Sequence, residues 1–98
     1  MVEKIYPYPK GTVINAICDL VELQKGKSTF SDTPNGKIFY RVTMYFCKYE
    51  FRFTVTDIDE SSSQVSLEVA GTELGANDMS RRQIALLDSM LGDLQPKA

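Results

Sequence analysis

The sequence predicts an α+β fold, an antiparallel sheet of four or five strands packed against a long C-terminal helix and one N-terminal helix. Three observations predict it. From Lys37 to Ala70 apolar and polar residues alternate, the period of strands with one buried face. The amphipathic segment Asp78–Leu94 places Ile84, Leu87, Met90, Leu91 and Leu94 on one helical stripe. A shorter stripe of the same kind, Val13, Ala16, Ile17, Leu20 and Val21, precedes the alternating region. Ninety-eight residues suffice for one core and not two, so a single domain over residues 1–98 is expected.

In chain order, Val2–Tyr8 reads as a short strand that Pro7 and Pro9 confine to a sheet edge. Thr12 is the expected N-cap of the first helix, and Gly26 the residue after its end, with Lys25 and Lys27 suited to the negative end of its dipole. Lys27–Asp32 reads as a further short strand. Asp32-Thr33-Pro34-Asn35-Gly36 carries the strongest turn chemistry in the chain, since Asn and Gly tolerate positive φ. Beyond it Ile38, Tyr40, Val42, Met44 and Phe46 share one face, with Phe39, Arg41, Thr43 and Tyr45 on the other. The apolar parity then slips to Tyr49, Phe51, Phe53 and Val55, with Lys48, Glu50, Arg52, Thr54 and Thr56 outward, which predicts a turn or bulge near Cys47-Lys48. Asp57–Ser63 is a polar loop, and Val65, Leu67 and Val69 face inward from the last strand. Asn77, Asp78 and Ser80 are candidate caps for the final helix.

Composition narrows the function classes. A net charge of −2 argues against a general nucleic-acid binder, although a local basic patch stays compatible with it. Histidine is absent, which removes the commonest general base and metal ligand. Cys18 and Cys47 lie in apolar-periodic segments without zinc-site spacing and are expected as buried free thiols, with a disulfide between them left open. No apolar run approaches the ~20 residues of a membrane span, and the first residues lack the apolar run of a secretory leader. A cytoplasmic location is the expectation.

Motifs are few. Gly26-Lys27-Ser28 imitates the end of a phosphate-binding loop, but it follows a helix instead of opening one. Asp57–Glu68 spaces oxygen ligands like a calcium loop, but Ser62 stands where the sharp turn needs glycine. Arg81 and Arg82 oppose the dipole in the predicted first turn of the last helix, which makes them an anion-binding candidate, with ion pairs to Asp78 as the alternative. Ser, Asp and Glu form no recognisable nucleophile or paired-carboxylate grouping, so no enzymatic activity and no cofactor or metal is expected.

Pro9-Lys10-Gly11-Thr12-Val13, Gly36-Lys37-Ile38, Phe51-Arg52-Phe53-Thr54-Val55, Ser66-Leu67-Glu68-Val69 and the helix Arg82–Leu94 follow one another along the chain. Together they resemble a reduced helix-grip arrangement, the fold of the START-like superfamily that includes Bet v 1-type and polyketide cyclase-like proteins. The chain is shorter than typical members, without their second short helix and some of their strands. The resemblance implies a small apolar ligand gripped between sheet and final helix, where Tyr40, Met44, Phe51, Met90 and Leu91 would line the site. The second reading is an interaction module acting as a homodimer, with Phe39, Tyr45 and Leu86 falling off the core faces.

Overall fold

The computed structural model describes residues 2–44, 47–71 and 76–93. Strand β1 (Val2–Tyr6) leads into helix α1 (Lys10–Leu23), followed by β2 (Lys27–Asp32) and a single 3-10 turn at Thr33–Asn35. Strands β3 (Lys37–Met44), β4 (Cys47–Asp57) and β5 (Ser63–Gly71) then precede helix α2 (Ala76–Asp93). The sheet is antiparallel throughout, in the order β1-β5-β4-β3-β2. β2 to β5 form a meander, and β1 pairs with β5 at the far edge, Val2 opposite Leu67 and Tyr6 opposite Ser63. α1 makes the return possible by crossing the sheet over β4 and β3.

Both helices cover one face. Ile38, Tyr40 and Val42 of β3, Tyr49, Phe51, Phe53 and Val55 of β4, and Val65 and Leu67 of β5 are buried there. Register stacks them in rows, Tyr40 opposite Phe51 and Ile38 opposite Phe53, which in turn opposes Leu67. α1 contributes Val13, Ala16, Ile17 and Leu20, and α2 contributes Ile84, Leu87 and Leu91. Val69 and Met90 are partly buried against this core. Among the described residues, no helix covers the opposite face of the sheet.

The expected turn at Asp32–Gly36 joins β2 to β3. Gly36 has φ 71°, and its carbonyl accepts a 2.7 Å hydrogen bond from Val55 N–H. A side chain there would collide with the Val55 carbonyl oxygen.

Several sequence expectations are corrected. Thr12 does not cap α1, because the helix starts at Lys10 behind Pro9, whose ψ of 153° keeps the chain extended up to that point. Cys47 and Lys48 are not a turn. Met44 pairs with Cys47 in the β3–β4 ladder, so the connection falls on residues 45–46, outside the described residues. A two-residue connection inverts side-chain parity by itself, which accounts for the slip without a bulge. α2 starts at Ala76, so Asn77, Asp78 and Ser80 lie within it instead of capping it, and Ser80 is buried. Cys18 is exposed, since the stripe of α1 turns residues 13, 14, 16, 17 and 20 inward and leaves position 18 on the solvent side. The Cys47 side chain, Phe46 and Leu94 lie outside the described part.

Two measurements check this packing. Phe53 is fully buried, so Phe53→Ala is expected to lose about 3–5 kcal/mol in urea unfolding. A loss below about 1 kcal/mol would mean that the two faces of the sheet are reversed. Burial pushes the Tyr40 phenol well above its ordinary range, with Gln24 beside it opposing only part of the rise. Tyr6 is pushed up too, by burial first and then by the nearby Asp88 carboxylate. Both raised groups favour the folded state below the ordinary tyrosine value, so stability is expected to fall as pH rises beyond about 10. Absorbance at phenolate wavelengths should therefore show these two tyrosines ionising only with unfolding; ionisation in step with the others would contradict it.

Candidate functional site

At the end of α1 the chain must turn sharply into β2. Lys25 N–H bonds the Glu22 carbonyl at 3.0 Å and Gly26 N–H bonds the Val21 carbonyl at 2.8 Å, a double closure that needs a left-handed residue at position 25. Glycine is the usual choice, and Gly26 was the expected one. Instead Lys25 takes the bend, with φ 55°, while Gly26 is needed for close approach. A Cβ on Gly26 would press on the Tyr40 ring at 3.2 Å and on Val21 and Val42 at 3.3 Å. Holding lysine left-handed costs about 1–2 kcal/mol, a strain that the surrounding structure must impose.

The strained lysine is one wall of a basic cradle. Lys27 on β2 lies directly opposite Arg41 on β3, and Thr43 lies opposite Lys48 on β4. Residues in register share a face, here the face without helices. These four, with Gln24 and Lys25, line a cavity of about 430 Å³. Arg41 and Lys48 also line an adjoining recess of about 330 Å³ with Glu50 and Ala70.

Four cations thus converge with a single carboxylate beside them, and that carboxylate is engaged elsewhere. Glu50 Oε2 accepts from Arg52 Nε at 2.9 Å and lies 2.7 Å from Arg52 Nη2. The Arg52 hydrogen bond, helped by Thr29 and by the charges of Arg52 and Arg41, holds the Glu50 carboxyl below the usual carboxylate range. Among the described residues, no carboxylate comes within ion-pair distance of Lys25, Lys27, Arg41 or Lys48. Like charges gathered round a half-enclosed space repel one another, and an anion placed among them relieves that repulsion.

The floor of the cradle is held from inside the core. Gln83 of α2 is fully buried, and its amide exchanges hydrogen bonds with Gln24, Nε2 donating to Gln24 Oε1 at 2.6 Å and Oε1 accepting from Gln24 Nε2 at 2.8 Å. The buried Tyr40 hydroxyl donates to the same Gln83 oxygen at 2.6 Å. Gln24 is therefore fixed in direction before any ligand arrives.

The other sequence candidates are placed differently. Tyr40, Phe51 and Leu91 are buried, and the rings of Tyr40 and Phe51 pack 5.4 Å apart, so these side chains themselves occupy the space between sheet and α2. Met90 is partly buried, and the Met44 side chain lies outside the described part. Arg81 and Arg82 are exposed in the second turn of α2, not the first, so the free amides at the helix start lie before them. Phe39 stands on the face without helices and Leu86 on α2, so the two do not share one patch; Tyr45 is outside the described residues. Lys27 and Ser28 are in strand β2, so the imitation of a phosphate loop has no helix behind it. Asp59 Oδ1 accepts from Ser61 N–H and Oγ at 2.8 and 3.1 Å, which closes the polar loop on itself. Burial raises the exposed-side Cys18 thiol, with Asp19 and Glu22 adding to it, which makes it a poor nucleophile at neutral pH.

At the opposite edge Lys4 lies 2.7 Å from Asp88 and 5.3 Å from the Tyr6 ring centre, in a shallow groove of about 260 Å³ between β1 and α2. There cation and carboxylate satisfy each other. No protein-family model and no curated protein matches the chain, so the cradle is read from its own chemistry.

The strain at Lys25 gives a direct check. Lys25→Gly is expected to leave stability unchanged or to raise it by up to about 1 kcal/mol in urea unfolding, because glycine takes the left-handed bend freely. A loss of more than about 1 kcal/mol would show instead that the lysine side chain holds the fold together.

Proposed function

We propose that this domain is a non-enzymatic binding module for a small polyanion, held in the cradle of Lys25, Lys27, Arg41 and Lys48. The observation that carries it is the convergence of four cations without ion-pair partners among the described residues on one cavity, in a chain whose net charge is −2. Random placement in an acidic chain would scatter such residues among carboxylates. Thr43 adds a hydroxyl to the lining, so oxygen atoms of a ligand meet both charge and a hydrogen-bond donor. A cavity of about 430 Å³ is within the size range of small-molecule sites.

Exposed charge pairs contribute only about 0.2–1 kcal/mol each, so several must act together. Four such contacts sum to at most about 4 kcal/mol, and a hydrogen bond to a charged oxygen adds about 1.5–3 kcal/mol, so the upper end of these ranges corresponds to a Kd between about 10 µM and 1 mM. A START-like, helix-grip relationship belongs to the same proposal as a statement about fold. It is supported by the element order and by both helices lying on one face of the sheet. An apolar ligand between sheet and α2 would require Tyr40, Phe51 and Leu91 to move apart, and the cradle requires no such movement.

Isothermal titration with inorganic tripolyphosphate tests the proposal. Binding in the range above is expected, weakening at least tenfold in the double variant Arg41→Ala, Lys48→Ala and weakening steadily toward about 0.5 M ionic strength. Absence of binding, or a double variant that binds like the parent, would overturn it.

A further inference from the structure

We infer that the polyanion is a nucleoside di- or triphosphate, its phosphates in the cradle and its base against the ring of Phe30; the inference rests on the anion-binding reading above. Phe30 of β2 pairs with Phe39 of β3, and the next outward-facing pair along the same two strands is Lys27 with Arg41. Phe39 and Arg41 are two residues apart on one strand, a separation of about 7 Å. That is about the reach from the phosphate of a nucleotide to its base.

The register itself sets up this arrangement. Pairing shifts between Ser28 and Phe30, so Thr29 is an extra residue in β2. In an unbroken register Thr29 would oppose Phe39 and Phe30 would oppose Ile38 on the helix-covered face; leaving Thr29 unpaired puts Phe30 opposite Phe39, on the open face with Lys27. The Phe30 ring packs against Phe39 at 5.2 Å between centres but remains 46 % exposed. The Arg52 guanidinium lies over the Phe39 ring at 5.7 Å, which leaves Phe30 as the accessible aromatic surface of the pair. A lone exposed phenylalanine means little. One standing a single row from the Lys27–Arg41 pair of the cradle is the pairing that nucleotide recognition uses, charge for phosphate and a ring for the base.

A free nucleotide fits better than a nucleic-acid strand. The cations converge on one cavity instead of spreading along a path, as the clustered charges of a di- or triphosphate require. A strand continuing over the open face would meet Glu50 and Glu68, already paired with Arg52. Phe30 offers a ring and no hydrogen bonds, so discrimination among bases should be weak.

Titration of the whole chain in magnesium-free buffer with adenosine triphosphate, inorganic tripolyphosphate and an oligothymidylate of about eight nucleotides decides the matter. Tripolyphosphate carries the greater charge density, so electrostatics alone favours it. Adenosine triphosphate is nevertheless expected to bind about tenfold more tightly, from stacking. Phe30→Ala should erase that advantage and leave tripolyphosphate binding unchanged, while Phe30→Tyr should restore it. Equal affinity for the two phosphates, or a Phe30→Ala variant that weakens both alike, would overturn the nucleotide inference while leaving the polyanion module standing. Tighter binding of the oligonucleotide than of adenosine triphosphate would overturn the choice of a free nucleotide. Failure of both phosphates to bind would remove both readings together.

Discussion

A phenol sits in the core on β3 with no access to water, and the fold around it is arranged to give its hydroxyl a partner. Leaving the Tyr40 hydroxyl without an acceptor in the core would cost about 1–3 kcal/mol. The acceptor is Gln83, on the opposite helix and 43 positions away. A buried amide brings its own demands, and Gln24 meets them from a helix 59 positions distant by exchanging hydrogen bonds with it. Three elements far apart in sequence are thereby locked at one point, in a low-dielectric setting where a half-satisfied network would be worse than none.

That lock explains the geometry outside the core. Docking the end of α1 against Tyr40 brings the backbone at Gly26 so near the sheet that a Cβ there would crowd Tyr40 and Val42. The left-handed bend is displaced onto Lys25, one residue earlier. The strain of Lys25 and the fixed orientation of Gln24 are thus two consequences of one buried network, and both residues line the cradle. The charge pattern has the same local logic. At the β1 edge Lys4 and Asp88 neutralise each other, whereas on β3 to β5 Arg52 takes the ion pairs of Glu50 and Glu68, and Arg41 feels Glu50 across the strands without pairing with it.

Much of the fold was legible. The alternation through Ile38, Tyr40 and Val42, and then Tyr49, Phe51, Phe53 and Val55, named the buried face correctly on both sides of the parity slip. The stripe of α2 and the turn at Gly36 were equally plain, because each depends on the periodicity or backbone freedom of a few adjacent residues. Helix boundaries were not: Thr12, Asn77 and Ser80 are good caps by composition, yet Pro9 begins α1 and α2 starts earlier than its cap-like residues. The cradle was missed for a different reason. Lys25 and Lys27 read as partners of a helix dipole, and Arg41 and Lys48 as a solvated strand face. Their one legible signal was cross-strand register, which needs the pairing partners to be known.

The sequence by itself determined the class of the fold, the order of its elements and the membership of its core, since hydrophobic periodicity acts within each segment. It also set the net charge of −2 and the absence of histidine, which bound the chemistry from outside. Tertiary structure alone decided that Gln24, Tyr40 and Gln83 meet, that Lys25 carries the strain, and that four cations from α1's end, β2, β3 and β4 surround one cavity. Those outcomes depend on strand register and helix docking, which are settled by the simultaneous satisfaction of buried groups from distant segments, and no single stretch of chain contains that information.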